Sequence, residues 1–267
     1  MPIPRIIHYC WFGGNEKPEI IRKCISSWKK YCPDYEIKEW NESNFDINMF
    51  QYTKEAYNAK KWAFVSDVAR LWVVLNYGGI YMDTDVEVLN NIDSLLNNDL
   101  FMFFESERSI ASGLGFGATK NNEIIKELVN DYSDRPFLLS NGKHDLTACP
   151  AINTKTIRKL IPSLELNGRT QHFDNSIAFF SPGDYQKLMH HYGAGSWTNN
   201  PKSDFSQKEW KDTKLKSFLR KPSRMSYLEN HLPKKLFSFY VFISYDLLEY
   251  GLIYLIKYLF NKITKSE

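Results

Sequence analysis

The period of the apolar positions changes along the chain, and each change marks an element. Residues 3–12 are mostly apolar and run into Gly13-Gly14. A short apolar run bounded by glycines predicts a strand buried on both faces. Over residues 18–31 the apolar positions become Ile20, Ile21, Cys24, Ile25 and Trp28, with Pro18 at the start. That is a helical period entered where a missing N–H is harmless. Residues 35–40 alternate and predict a short strand. Residues 50–76 predict a helix in two parts, the second almost wholly apolar. Gly78-Gly79 breaks it, and residues 80–88 predict the next strand. Further on, residues 100–105 and 177–180 read as strands, the second stopped by Pro182. Residues 123–132 and 154–160 read as helices, and residues 113–117 as a glycine-rich turn. Strands alternating with helices predict an α/β domain with a largely parallel sheet. Ligands of such sheets gather at the carboxyl ends of the strands, which points to Cys10 and Asp83.

The last segment has a different character. Residues 236–260 are dominated by Leu, Ile, Phe, Tyr and Val, but they include Asp246, Glu249 and Lys257. A spanning helix needs ~20 apolar residues with few or no charges, so spanning is disfavoured. Lys234, Lys235, Lys257, Lys262 and Lys265 suit a helix lying in an anionic membrane surface. A helical pair packed on the domain is the other reading. The net charge of +3 is uneven: residues 214–267 carry ten Lys or Arg against four Asp or Glu, leaving −3 for the rest. The expected division is therefore a domain over residues 1–213 and a basic, apolar, helical tail over residues 214–267, with no nucleic-acid partner. The 15% aromatic content suits carbohydrate or membrane-interface contact, or a rich core. Cys10, Cys24, Cys32 and Cys149 lack zinc-site spacing, and a chain this size does not need disulfides, so they read as reduced. The first five residues lack an apolar signal core, so a cytoplasmic protein is expected.

The candidate chemistry centres on Gly78-Gly79-Ile80-Tyr81-Met82-Asp83-Thr84-Asp85. In an extended chain, Asp83 and Asp85 share a face. Two like charges that close raise each other's pKa unless a cation sits between them. Oxygen ligands suit Mg2+ or Mn2+, and such an ion suits a phosphate-bearing substrate. A polar turn after a buried strand is the plainer alternative. Asp67 and Arg70, three apart on one helix face, form either a structural ion pair or a carboxylate and guanidinium offered to sugar hydroxyls or phosphate. His190-His191 before Gly193-Ala194-Gly195-Ser196-Trp197 could supply an imidazole to the same ion, or form a polar loop with a packed Trp. Trp11, at the end of the first strand, could stack on a nucleobase or pack in the core. Asn44 and Asn153 carry no signal of their own. Gly113 to Gly117 have neither the spacing nor the Lys of a P-loop.

Four stretches in order resemble glycosyltransferase family 32, the DxD sugar-transferase family of yeast mannosyltransferases and bacterial capsule enzymes. They are Ile3-Pro4-Arg5-Ile6-Ile7-His8, Ala63-Phe64-Val65-Ser66-Asp67-Val68-Ala69-Arg70, the glycine–acid stretch, and the late His-His…Ser-Trp. The chain is more distantly similar to the glucosyltransferase domain of large clostridial toxins. The resemblance covers roughly residues 2–197 and leaves the tail outside. It implies a GT-A fold, Rossmann-like with flanking helices, a nucleotide-sugar donor, Mn2+ or Mg2+, and transfer with retention. By motif, Trp11 matches the tryptophan that stacks on uracil, Cys10 its neighbour, and Asn44 an asparagine at the base. Asp67 and Arg70 match residues that grip the donor sugar. Asp83 matches the acid near the ribose and metal-bound water, and Asp85 the direct metal ligand. Tyr81 falls in the same motif and joins the donor-binding set. Ser196 and Trp197 match groups on the diphosphate. Where the toxin domain has a carboxylate ligand, this chain has His190 and His191, with His191 taken as the ligand. The expected reaction moves a hexose from a UDP-sugar to a growing, undecaprenyl-diphosphate-linked oligosaccharide at the inner membrane face. GDP-mannose as donor and a catalytically silent nucleotide- or glycan-binding protein are the alternatives. A two-metal phosphatase would need a second cluster of carboxylates.

Overall fold

A computed structural model of the chain describes residues 2–174 and 176–193. Within them a central sheet is ordered β2-β1-β3-β7-β5-β9-β8, with β6 paired to β5. The strands are β1 (Ile6–Cys10), β2 (Glu36–Trp40), β3 (Gly79–Tyr81), β5 (Leu100–Ser106), β6 (Ser109–Ala111), β7 (Phe116–Ala118), β8 (Gln171–Phe173) and β9 (Ile177–Phe180). β1 pairs in parallel with β2 and β3, and β5 with β9, while β7 runs antiparallel between β3 and β5. β6 and β8 are also antiparallel to their neighbours. The five strands β1, β2, β3, β5 and β9 thus share a direction. The expected largely parallel sheet is present, but it is mixed.

The helices are α1 (Glu19–Tyr31), α2 (Gln51–Asn58), α3 (Trp62–Tyr77), α4 (Glu123–Asn130), α5 (Cys149–Leu160) and α6 (Pro182–Leu188). Two apolar clusters lie on opposite faces of the sheet. Along β5, Leu100, Met102 and Phe104 join the cluster that holds α3, α4 and α5. Phe101 and Phe103 join the one that holds Trp28 of α1 and Tyr185 of α6. This is the period of two expected of a strand covered on both sides. α3 is apolar nearly all round because it is buried nearly all round; Phe64, Val65, Val68, Leu71, Val73 and Val74 are almost wholly covered. Its two buried charges are Asp67 and Arg70.

The turn from α3 into β3 is tight. Gly79 has φ +101°, and a Cβ there would lie 2.8 Å from the Ile6 carbonyl oxygen of β1. Only glycine combines that backbone angle with so close an approach.

The single strand expected over residues 80–88 is two strands. After Tyr81 the chain turns, with Val86 N–H donating to the Asp83 carbonyl at 3.0 Å. It re-extends as β4 (Val86–Val88), which leaves the main sheet and pairs antiparallel with β10 (Met189–His191). Asp83 and Asp85 therefore flank a turn and do not alternate along a strand. The change of partner strand forces the bend. Among the described residues no helix is long and apolar enough to cross a membrane. The expected tail of residues 214–267, Ser196 and Trp197 lie outside the described residues.

Candidate active site at the strand ends

The first layer of the site comes from α3 and the end of β3. Asp67 and Arg70, three apart, form a buried pair with Arg70 Nη2 2.9 Å from Asp67 Oδ1. The same Nη2 lies 3.3 Å from Asp83 Oδ1, so one guanidinium bridges the helix acid and the first acid of the turn. Tyr81 O–H donates to Asp83 Oδ1 at 2.9 Å, and the Arg70 guanidinium carbon lies 5.1 Å from the Tyr81 ring centroid. Burial pushes the Asp67 carboxyl up to about 6; Arg70 opposes this and Asp83 adds to it. Asp83 is raised too, first by burial and then by Asp85, against Arg70 and His191. Burial works against the Arg70 charge, but Asp83 and Asp67 hold its pKa well above the ordinary value. The even choice left by the sequence, ion pair or ligand-facing group, is thereby narrowed: Asp67 and Arg70 are paired, and the pair belongs to the acid cluster.

The second layer comes from β10. His191 Nε2 lies 3.1 Å from Asp85 Oδ1, and Tyr192 N–H donates to the Asp85 carbonyl at 3.0 Å. Burial lowers the imidazole's pKa, and the Asp85 carboxylate more than offsets it, so the pKa is raised. One ligand atom each from Asp83, Asp85 and His191 lie within 4.8 Å of one another. His190 is exposed, with its ring 4.6 Å from that of Tyr192. Successive residues of a strand face opposite ways, so only His191 reaches the acids. Two carboxylates and an imidazole converging on one point suit a divalent ion.

A third layer lines the ends of β1 and β2. Cys10 is buried beside the cluster; burial pushes its thiol up to about 12, with Arg70 pulling the other way. Trp11 N–H donates to the Trp40 carbonyl at 2.9 Å, and its indole N–H donates to the Asn15 carbonyl at 2.7 Å. Lys17 Nζ sits 5.6 Å from the Trp11 ring and 2.9 Å from Glu39. Gly13 N–H donates to Glu42 Oε1 at 2.6 Å. Asn44 uses its amide to close its own loop, donating to the Glu39 carbonyl and accepting from Asn41 N–H, each at 2.9 Å. Trp11 and Asn44 thus stand on the loops that follow β1 and β2.

Four further residues at the cluster carried little sequence signal. Ser112 and Gly113 follow β6, and Cys149 and Asn153 open α5. The glycine-rich turn was the one pointer to the first pair, and Pro150 in the first turn of a helix was the one pointer to the second. A separate cavity of about 490 Å³, reached by Leu95, His172, Phe180 and Lys187, shares no lining residue with the acids.

Residues 18–102 match the family described as the glycosyltransferase sugar-binding region containing a DXD motif. That match spans about a third of the chain, and over it the chain is similar to the DXD glycosyltransferases. The matched segment holds Asn44, Asp67, Arg70, Tyr81, Asp83 and Asp85, and stops before Ser112, Asn153 and His191. Among curated proteins, the inositol phosphoceramide mannosyltransferase 1 of Schizosaccharomyces pombe is 27% identical over 142 residues, 49% of this chain and 43% of the relative. Inositol phosphoceramide mannosyltransferase 3 of the same yeast is 30% identical over 137 residues, 48% of this chain and 37% of the relative. The chain spans less than half the length of these relatives. Among solved structures, the PaToxG glycosyltransferase is 20% identical with a TM-score of 0.49, covering 61% of this chain and 71% of that one. A glycosyltransferase involved in glycosylation of the major capsid of PBCV-1 is 14% identical with a TM-score of 0.41, covering 70% and 93%.

Proposed function

We propose that this chain is a retaining, divalent-metal-dependent glycosyltransferase of the GT-A type that moves a hexose from a nucleotide sugar to a lipid-linked oligosaccharide. The observation that carries the reading is the convergence of Asp83, Asp85 and His191 within 4.8 Å, beside the buried Asp67–Arg70 pair. These three residues would hold Mn2+ or Mg2+. When bound, the ion would offset the charge that develops on the departing diphosphate.

The chain's own residues do the rest by binding and orientation. Trp11 offers its ring to the base, on a loop fixed by Trp40, Glu42 and Asn15. The Asp67–Arg70 pair orients the donor sugar, Asp67 through its carboxylate and Arg70 through the charge it shares between Asp67 and Asp83. Holding donor and acceptor side by side, with the acceptor on the leaving-group face, converts a bimolecular step into a unimolecular one, a gain that reaches roughly 7–11 kcal/mol in well-oriented systems. The acceptor oxygen bonds to the anomeric carbon on the face that the diphosphate leaves. The carbon–oxygen bond to phosphate breaks, and the acceptor's proton passes to the departing phosphate oxygen.

The favoured donor is a UDP-sugar, from the match of Trp11 and Asn44 to uracil-contacting residues. A GDP-mannose donor is the second reading, favoured by the mannosyltransferase names of the yeast relatives. The acceptor and a site of action at the inner membrane face rest on the basic, apolar composition of residues 214–267. Replacing Asp83 and Asp85 by Ala removes buried like charges, so the fold is expected to persist while turnover falls roughly 100-fold or more. Circular dichroism and a nucleotide-release assay on the double variant check this; retained activity would sink the assignment.

A further inference from the structure

Arg70 has five N–H donors, fixed in a planar fork. The protein supplies five acceptors. Nε donates to the Ser66 carbonyl at 3.1 Å. Nη1 faces Ser112 Oγ at 3.4 Å and Cys149 Sγ at 3.8 Å. Nη2 faces Asp67 at 2.9 Å and Asp83 at 3.3 Å. The fork is filled from within the protein. Nη1 is the end of the fork away from the carboxylates, and its partners are Ser112 and Cys149.

Ser112 stands there, wholly buried, with its hydroxyl fully used. It accepts from Arg70 Nη1 and from Asn153 Nδ2, the latter at 3.0 Å, and it donates to Cys149 Sγ at 3.6 Å. That is the whole inventory of a hydroxyl, two acceptances and one donation. Asn153 is wholly buried as well, and its Oδ1 has no partner among the described residues. The next residue, Gly113, closes the same corner. A Cβ on it would lie 2.6 Å from Asp83 Oδ2 and 3.2 Å from Arg70 Nη1. Real Cβ atoms do not come within 2.6 Å, so a side chain at residue 113 would push the Asp83 carboxylate out of its present place beside Arg70.

We propose that Ser112, Gly113 and Asn153 are positioning residues, which set the Arg70 fork from behind and thereby fix where Asp83 points. This rests on the glycosyltransferase reading for its consequence in catalysis, but its geometry stands apart from it. Asn153 holds Ser112, Ser112 holds Nη1, and Nη2 then spans Asp67 and Asp83 while Gly113 leaves room for the second Asp83 oxygen.

The test uses the full chain and three variants: Ser112→Ala, Gly113→Ala and Asn153→Leu. The first readout is Mn2+ binding in the absence of nucleotide, followed by electron paramagnetic resonance. The second is the Arg70 side-chain N–H resonance, identified by its loss in Arg70→Lys. Gly113→Ala is expected to weaken Mn2+ binding roughly tenfold or more, as displaced supporting groups of metal sites do. Ser112→Ala and Asn153→Leu are expected to shift the Arg70 resonance and lower kcat more than they change donor KM. Unchanged Mn2+ affinity in Gly113→Ala together with an unchanged Arg70 resonance in the other two overturns the proposal. If Gly113→Ala does not fold, the resonance in Ser112→Ala decides it in the same way. If the wild type binds no Mn2+, the metal reading fails, and the Arg70 resonance still decides the positioning role, a shift supporting it and an unchanged line overturning it.

Discussion

His8 is wholly buried, with Nε2 2.8 Å from the Gly78 carbonyl and Nδ1 3.1 Å from the indole nitrogen of Trp40. An indole N–H can only donate and a carbonyl can only accept, so Nδ1 is the bare nitrogen and Nε2 carries the proton. The neutral ring clips β1 to the turn that leads to Asp83. Burial holds its pKa down at about 4 from 6.5. The unfolded chain takes up a proton below 6.5 that the folded chain refuses, so stability is lost as pH falls from 6.5 toward 4. By pH 5 the loss from this group is about 2 kcal/mol. Asp67, raised to about 6, acts with the opposite sign over the same window, because its folded form accepts a proton before its unfolded form does. The measurement is therefore a comparison: urea unfolding of wild type and His8→Gln at pH 7.5 and pH 5. The wild type is expected to lose about 2 kcal/mol more than the variant over that step; parallel losses would contradict the account. In the sequence His8 is one of a run of aromatic residues at a strand end, and nothing in that run separates the clip from the stacking surface.

Elements were legible in proportion to their length. β1, α1, α2, α3 and β5 follow from apolar periods over several residues. β6, β8 and β10 are three residues each, too short to show a period, and β10 carries His191. α5 begins at Cys149, five residues before the expected start, because Pro150 fits a first helical turn that the apolar spacing alone does not reveal. The acids were found for a reason that the structure replaces. The alternation of an extended strand would have put them on one face, whereas a turn and a second small sheet do so here. The entry into β3, ahead of that turn, depends on Gly79. Gly79→Ala forces a left-handed angle on an L-residue and drives a Cβ into the backbone of β1, so roughly 3 kcal/mol of stability should be lost. Equilibrium urea unfolding reads this directly, and a midpoint equal to that of wild type would contradict it.

At the scale of the molecule, the sheet gathers residues from far-apart segments onto its carboxyl ends: residue 10, residues 67–70, residues 83–85, residues 112–113, residues 149–153 and residue 191. The motifs named most of these; Ser112, Gly113, Cys149 and Asn153 were silent because their roles depend on who stands opposite them in space. Charge at this scale divides the chain as well, with the basic excess in residues 214–267. Removing residues 234–267 is expected to move the protein from the membrane fraction to the soluble fraction, by the surface attraction of its lysines and apolar residues. Unchanged fractionation would separate the tail from membrane binding. Metal-dependent transfer from a nucleotide sugar is tested by following nucleotide release in the presence of Mn2+ from UDP-glucose, UDP-galactose, the two UDP-N-acetylhexosamines and GDP-mannose, each with and without EDTA. Release is expected from one of these donors, abolished by EDTA and absent in Asp85→Ala. Release that EDTA does not touch, or silence with every donor and no nucleotide binding by calorimetry, would contradict it.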